Sequence, residues 1–212
     1  MRFLYLALPI FAALGASAKQ NSTEFCHAFP SSVIEFSGTF QQPQPPLLKT
    51  EFQTSFIQHK WNANLSHIQT GYIYFSPSQV LVRVDEAYKG DLANSIFDYA
   101  NTTADGLVDN TLTSFGNYPA QQPTVWRGYV QSNYPLFTED ILIAGNAVFG
   151  GLVRKTHMEG LVASWNIMYT SIPVTVFVDG CGVMVGYDYF SPGLRTRVTI
   201  EFSNTLVGSV KV

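Results

Sequence analysis

The chain has 212 residues, of which 46% are hydrophobic, 14% aromatic and only 13% charged, about half the usual charged fraction. Its formal net charge of −3 argues against a nucleic-acid partner or an anionic membrane surface, both of which need a basic face. The length suits one domain with a real core, and the apolar content exceeds what one ordinary core requires, so either a sheet has two apolar faces or a cavity is lined.

The first element is a leader. Arg2 supplies a positive n-region, Phe3 to Leu14 an apolar h-region, and Ala16-Ser17-Ala18 a small-x-small cleavage site. The apolar run is too short to cross a bilayer of ~30 Å as a helix, and no second run of that length follows. The expectation is a secretory signal peptide over residues 1–18 and a single secreted, extracellular domain over residues 19–212, with no transmembrane segment. Loss of Arg2 takes the net charge from −3 to −4. Three sequons begin at Asn21, Asn64 and Asn101 and fit a glycoprotein whose acceptor asparagines face solvent. The two cysteines, Cys26 and Cys181, read most simply as one disulfide in an oxidising compartment, the alternative being two separate buried thiols. A bridge closing so long a loop stabilises by about 4–5 kcal/mol in the chain-entropy model.

After a polar lead, residues 33–40 alternate as a strand does, and the prolines at 43, 45 and 46 then make a surface loop. Strands are predicted over 51–61, 67–75, 80–85, 95–99 and 107–112, with turns at Ser76-Pro77-Ser78 and over 100–106. Residues 135–153 differ: Ile141, Leu142, Ala144, Ala147, Val148 and Leu152 recur at spacings of three and four, which predicts one or two helical turns broken by Gly145, Gly150 and Gly151. Strands return over 160–169, 173–178, 183–189 and 195–202, with turns at Asp179-Gly180-Cys181-Gly182 and Ser191-Pro192-Gly193. The period is two almost throughout. With the excess of aromatics, it predicts a mainly β domain of about nine or ten antiparallel strands: a strongly curved sheet, or half-barrel, with a few short helices. A β-sandwich is the rival architecture.

Motifs for catalysis are missing. There is no Gly-x-Ser-x-Gly elbow, His-Glu-x-x-His, phosphate-binding glycine loop or Cys-x-x-Cys pair. No cofactor, metal or catalytic residue is therefore assigned. His59, His67 and Asp85 fall on neighbouring strands but lack a diagnostic metal spacing. His59, Asp85 or Asp98 would be the first choices for an acid or base if the fold were an enzyme. The aromatics carry more information, and Phe56, Tyr72, Tyr74, Phe97, Trp126 and Trp165 are the candidate lining of an apolar ligand cavity. Arg83 or Arg127 at a rim would orient an anionic head group.

Residues 162–170 (Val-Ala-Ser-Trp-Asn-Ile-Met-Tyr-Thr), then Cys181, Tyr187-Asp188-Tyr189-Phe190 and a last strand over 195–202 resemble the end of ependymin-related secreted glycoproteins. Gly71 to Phe75 turning into Val82-Arg83-Val84-Asp85 is similar to that family's paired middle strands, and Cys26 sits where its first cysteine would. The resemblance implies the pairing of Cys26 with Cys181. It also implies a fold like that of bacterial outer-membrane lipoprotein carriers, a curved sheet around a hydrophobic cavity plugged by short helices, with residues 135–151 as the plug. The chain departs from the family in having two cysteines where relatives have more, and it has no acidic loop to match the calcium binding attributed to ependymins.

These readings together predict a secreted protein whose partner is a hydrophobic small molecule or lipid. The alternatives are an adhesion or matrix protein that presents an apolar patch to a second copy, as in a homodimer, and a small isomerase- or cyclase-type enzyme using the same cup.

Overall fold

The computed structural model describes residues 29, 40–88, 91–116, 122–158 and 160–212. The signal peptide, Asn21, Cys26 and all but the last residue of the expected 33–40 strand lie outside those residues. The described chain forms one antiparallel sheet of eleven strands. They are β1 (Phe52–Asn62), β2 (Leu65–Ser76), β3 (Leu81–Tyr88), β4 (Asp91–Thr102), β5 (Val108–Phe115) and β6 (Thr124–Val130), then β7 (Val148–Val153), β8 (Val162–Tyr169), β9 (Ile172–Val178), β10 (Met184–Ser191) and β11 (Thr196–Val207).

The spatial order β6-β5-β4-β3-β2-β1-β11-β10-β9-β8-β7 describes two meanders. Each step pairs sequence neighbours, and the meanders are welded where β1 pairs with β11. β6 and β7 are the two edges, so the sheet is not closed into a barrel. A single sheet replaces the rival sandwich.

Two expectations are corrected. The helical spacing over 135–153 delivers only a four-residue helix, α1 (Ile141–Ala144), and Val148 to Val153 extend instead as β7 against β8. Gly145 closes α1 by donating its N–H to the Ile141 carbonyl. Beyond it the chain gains more from pairing its backbone with β8 than from continuing a helix through three glycines, each about 1 kcal/mol worse than alanine. The second correction is β6, which the alternation did not single out and which brings the strand count to eleven. Among the described residues no helix is long and apolar enough to cross a membrane.

Directly paired residues of an antiparallel sheet project to the same side, so the register sorts the side chains. One face carries Phe52, Phe56, Ile73, Phe75, Val82, Val84, Phe97, Ile200, Phe202, Tyr187, Val176 and Trp165, all buried. The segment joining β6 to β7 crosses this face and places Tyr134, Phe137, Leu142 and Ala147 in the same cluster, with Leu48 ahead of β1. Phe137 meets Tyr169 and Tyr187 edge to face at 5.4 and 5.6 Å. Sheet hydroxyls pin the crossing segment: Tyr187 donates to the Asn133 carbonyl at 2.8 Å, Tyr189 to Asn133 Oδ1 at 2.8 Å, and Tyr99 to the Tyr134 carbonyl. Leu48 N–H donates to the Glu139 carbonyl at 2.8 Å and fastens its far end. This is the covered face. The other, open face still exposes Ile57, Tyr72, Leu92, Phe115, Val125, Tyr129, Val148, Met168 and Phe190.

Candidate functional site

Cross-strand register builds the site on the open face of β2 to β5. One row runs Ser55, Tyr72, Asp85, Asn94, Thr113 across β1 to β5. The next row toward the hairpin ends is Ala87, Leu92, Phe115, and the row on the other side holds Tyr74, Arg83, Ile96 and Thr111. A polar row is thus flanked by an apolar one, and a groove of about 810 Å³ lies over them, lined by Tyr72, Arg83, Asp85, Ala87, Leu92, Asn94, Thr113 and Phe115. Tyr72 is 57% exposed, Leu92 59% and Phe115 43%. Side chains this apolar and this exposed, around a polar strip, are the usual composition of a small-molecule site, and the volume falls in the range of such sites.

Gly71 makes the groove floor possible. A Cβ there would fall well inside contact distance of the Asp85 carbonyl oxygen, so β2 and β3 approach closely only because that position has none.

The polar strip is internally neutralised. Arg83 donates from Nε to Asp85 Oδ1 at 3.0 Å and from Nη2 to Asp85 Oδ2 at 2.9 Å, while Asn94 Nδ2 donates to Asp85 Oδ1 from the next strand. The Arg83 guanidinium also sits 5.1 Å from the centre of the Tyr74 ring. The hydrogen bond to Asp85 raises the Arg83 pKa further above its already high value. Arg127 is spent in the same way: Nη2 donates to Asp109 Oδ2 at 2.6 Å, and this bond holds the Asp109 carboxyl below the usual carboxylate range. Neither arginine is a bare cation at a rim.

A second open-face groove of about 530 Å³ lies over β7 to β11, between Val148, Asn166, Met168, Thr175, Asp188, Phe190 and Arg197. Burial raises the pKa of Asp188 there, against opposing pulls from Lys155 and Arg197. Arg197 itself lies over the Trp61 ring at 5.3 Å, which stacks on His59 at 3.6 Å.

The predicted lining residues divide between the faces. Phe56 and Phe97 are packed on the covered face, meeting at Tyr134 with ring centres 5.8 and 5.9 Å away. Trp165 is buried on the same face against Phe149, 5.2 Å between centres. Trp126 shares that side in register but stands at the edge of the sheet, 48% exposed, its ring lying over Gly128. Tyr72 and Tyr74 face the other way, and Tyr72 alone of the six lines the 810 Å³ groove. His59 and His67 fall on opposite faces, because His59 pairs with Ile68 and His67 with Lys60. His59 exchanges a 2.7 Å hydrogen bond with Ser66. Asp98 accepts from the Ala100 N–H at 3.0 Å. Asn64 is exposed in the β1–β2 turn, whereas Asn101 is half-buried, donating to Asp109 Oδ2 at 2.8 Å and accepting from Tyr129 at 3.0 Å. Cys181 is not a free thiol.

Leu92, Asn94 and Phe115 were not singled out from the sequence. The signal was present in the run Leu92-Ala93-Asn94-Ser95-Ile96-Phe97, where both alternating sets contain large apolar residues.

No protein-family model matches the chain, and no curated protein matches it. Among solved structures it is similar to a DUF1329 family protein from Desulfovibrio piger, with 9% sequence identity, a TM-score of 0.31, and coverage of 74% of this chain and 85% of that one.

Proposed function

We propose that the chain is a binding module for a hydrophobic small molecule of lipid size, held in the open-face groove of β2 to β5. One observation carries the reading: Tyr72, Leu92 and Phe115 are exposed together around a preformed groove of about 810 Å³. The covered face is the poorer host, because the crossing segment already fills it with Tyr134, Phe137, Leu142 and Ala147. An acyl chain gains roughly 0.8 kcal/mol per buried CH₂, so about ten methylenes contribute roughly 8 kcal/mol. Set against an association cost near 4 kcal/mol, the surplus corresponds to a Kd of about 1 mM. Each two further methylenes tighten binding about tenfold or more.

Titration of the purified protein with saturated chains of increasing length tests this, together with organic extraction and mass spectrometry. Saturable binding that strengthens with chain length and is lost in Leu92→Glu supports the groove. Binding that persists unchanged in Leu92→Glu, or the lack of any saturable binding, removes it.

The setting belongs to the same proposal. We read the chain as a secreted glycoprotein with glycans at Asn64, Asn101 and Asn21 and a Cys26–Cys181 bridge. The exposed turn at Asn64 and the engaged state of Cys181 support this. The ependymin-like reading rests on the β8 and β10 residues Trp165 and Tyr187 to Phe190 and on the paired strands around Arg83. A second reading, adhesion through another copy of the chain, is favoured by β6, which exposes Val125, Trp126 and Tyr129 beside a strand edge that is unpaired among the described residues. Concentration-dependent dimerisation abolished by Val125→Lys would support it, and a monomer at all concentrations would exclude it.

A further inference from the structure

Resting on the groove reading, we propose that the site selects a neutral, hydroxyl-bearing lipid, such as a long-chain alcohol, and discriminates against a free carboxylate. Charge and hydrogen-bonding capacity on the floor carry the inference. Arg83 is the one cation lining the groove, and Asp85, two residues along the same strand and on the same face, takes both its Nε and its Nη2. Glu86 turns its carboxyl to the covered face, where Tyr134 donates to it, so the charged side chains facing the groove are Arg83 and Asp85 and sum to zero. An incoming carboxylate therefore exchanges its hydration for a cation already neutralised, beside at least one fixed negative charge.

What remains on the floor, beside the hydroxyls of Ser55, Tyr72 and Thr113, is a donor and an acceptor. Among the described residues, Arg83 Nη1 has no hydrogen-bond partner. Asn94 has committed its Nδ2 to Asp85 and keeps Oδ1 free as an acceptor. A hydroxyl can accept from a donor such as the first and donate to an acceptor such as the second. An ester carbonyl and a carboxylate can only accept, so neither uses Asn94 Oδ1. The order expected is alcohol, then ester, then carboxylate, with Leu92, Phe115 and Tyr72 holding the chain in each case.

The test is displacement of the neutral dye Nile red from the full chain by tetradecanol, methyl tetradecanoate and tetradecanoate, below their aggregation concentrations. The wild-type protein is expected to bind tetradecanol about tenfold more tightly than tetradecanoate. In Asp85→Asn the guanidinium is unmasked, so tetradecanoate should tighten about tenfold, and added salt should erase the gain. In Arg83→Gln, which removes the charge and leaves the Asp85 carboxylate unpaired, tetradecanoate should weaken more than tetradecanol. Circular dichroism identifies a variant that has failed to fold, and the wild-type ratio stands without any variant. Equal or tighter binding of tetradecanoate to the wild type makes Arg83 an anion anchor and overturns the inference while leaving the groove intact. Absence of saturable displacement by all three probes overturns the groove reading and this inference with it.

Discussion

Tyr134 donates its hydroxyl hydrogen to Glu86 Oε2 at 3.1 Å, across 48 residues of sequence, and so ties the segment that covers the sheet to the third strand beneath it. Gln69 Nε2 donates to the same oxygen at 3.2 Å. Burial pushes the Glu86 carboxyl up, and the Tyr134 bond and the nearby Lys60 charge pull it back only in part.

A pH dependence of known sign results. With the folded pKa above the unfolded one, the contribution of Glu86 to stability is fully present below about pH 4.3 and is lost as pH rises through the folded value. Glu86→Gln should therefore gain stability relative to wild type toward neutral pH, and the gain should vanish in acid. Urea unfolding across this range measures it, and two curves that stay parallel would contradict the assignment.

The tyrosines that pin the covering segment set an alkaline limit. Burial holds the phenols of Tyr99, Tyr134 and Tyr187 above their ordinary value, and that of Tyr189 is pushed up to about 12. Folding therefore favours their protonated form, and stability should fall as pH rises from about 10, the unfolded value, through the folded values. Phenolate absorbance should show a group of tyrosines ionising only together with loss of the sheet's circular dichroism. Smooth ionisation of all tyrosines ahead of unfolding would refute this.

Gly71→Ala should cost about 1–3 kcal/mol or more, the range for overpacking, because its Cβ meets the Asp85 backbone, which cannot swing aside as a flexible side chain would. The same variant should weaken ligand binding, since parting β2 from β3 moves Tyr72 away from Asp85. Unchanged urea midpoints would show that the two strands separate freely.

The β8–β9 hairpin turns through Thr170 and Ser171, both at positive φ (46° and 67°). That is the backbone of a two-residue turn whose preferred residues are Asn and Gly, and a β-branched threonine is strained there. Thr170→Asn with Ser171→Gly should stabilise the fold by about 1 kcal/mol, read as a rise in the urea midpoint with an unchanged slope.

Phe137→Ala should cost about 3–5 kcal/mol, since the ring is fully buried against Tyr169 and Tyr187. If the crossing segment were an ornament rather than half of the core, the loss would be below about 1 kcal/mol.

Much of the sheet is readable from period-two alternation. β1 to β5 and β8 to β11 coincide with runs in which β-branched and aromatic residues alternate with polar ones. β6 escaped because Val125 to Val130 carries apolar residues on both sides and a glycine in the middle, an edge-strand composition with no contrast between faces. β7 was read as helix because its apolar residues continue the spacing of Ile141 and Leu142. Of the site, the sequence points to Tyr72 as a lining residue and Arg83 as a rim cation, but not to their arrangement.

Strand propensity, alternation and turn chemistry act over a few neighbouring residues, so they set which segments extend as strands and where most of them turn. Which face became core was set by packing between distant segments. Both faces of β2 and β4 carry large apolar side chains, and alternation is symmetric between two such faces. The choice fell to the segment carrying Tyr134 and Phe137, which crosses one side of the sheet and buries Phe56 and Phe97 there. Tyr72, Leu92 and Phe115 were left on the other side, and the register of the β3–β4 hairpin set Asp85 beside Asn94 between them.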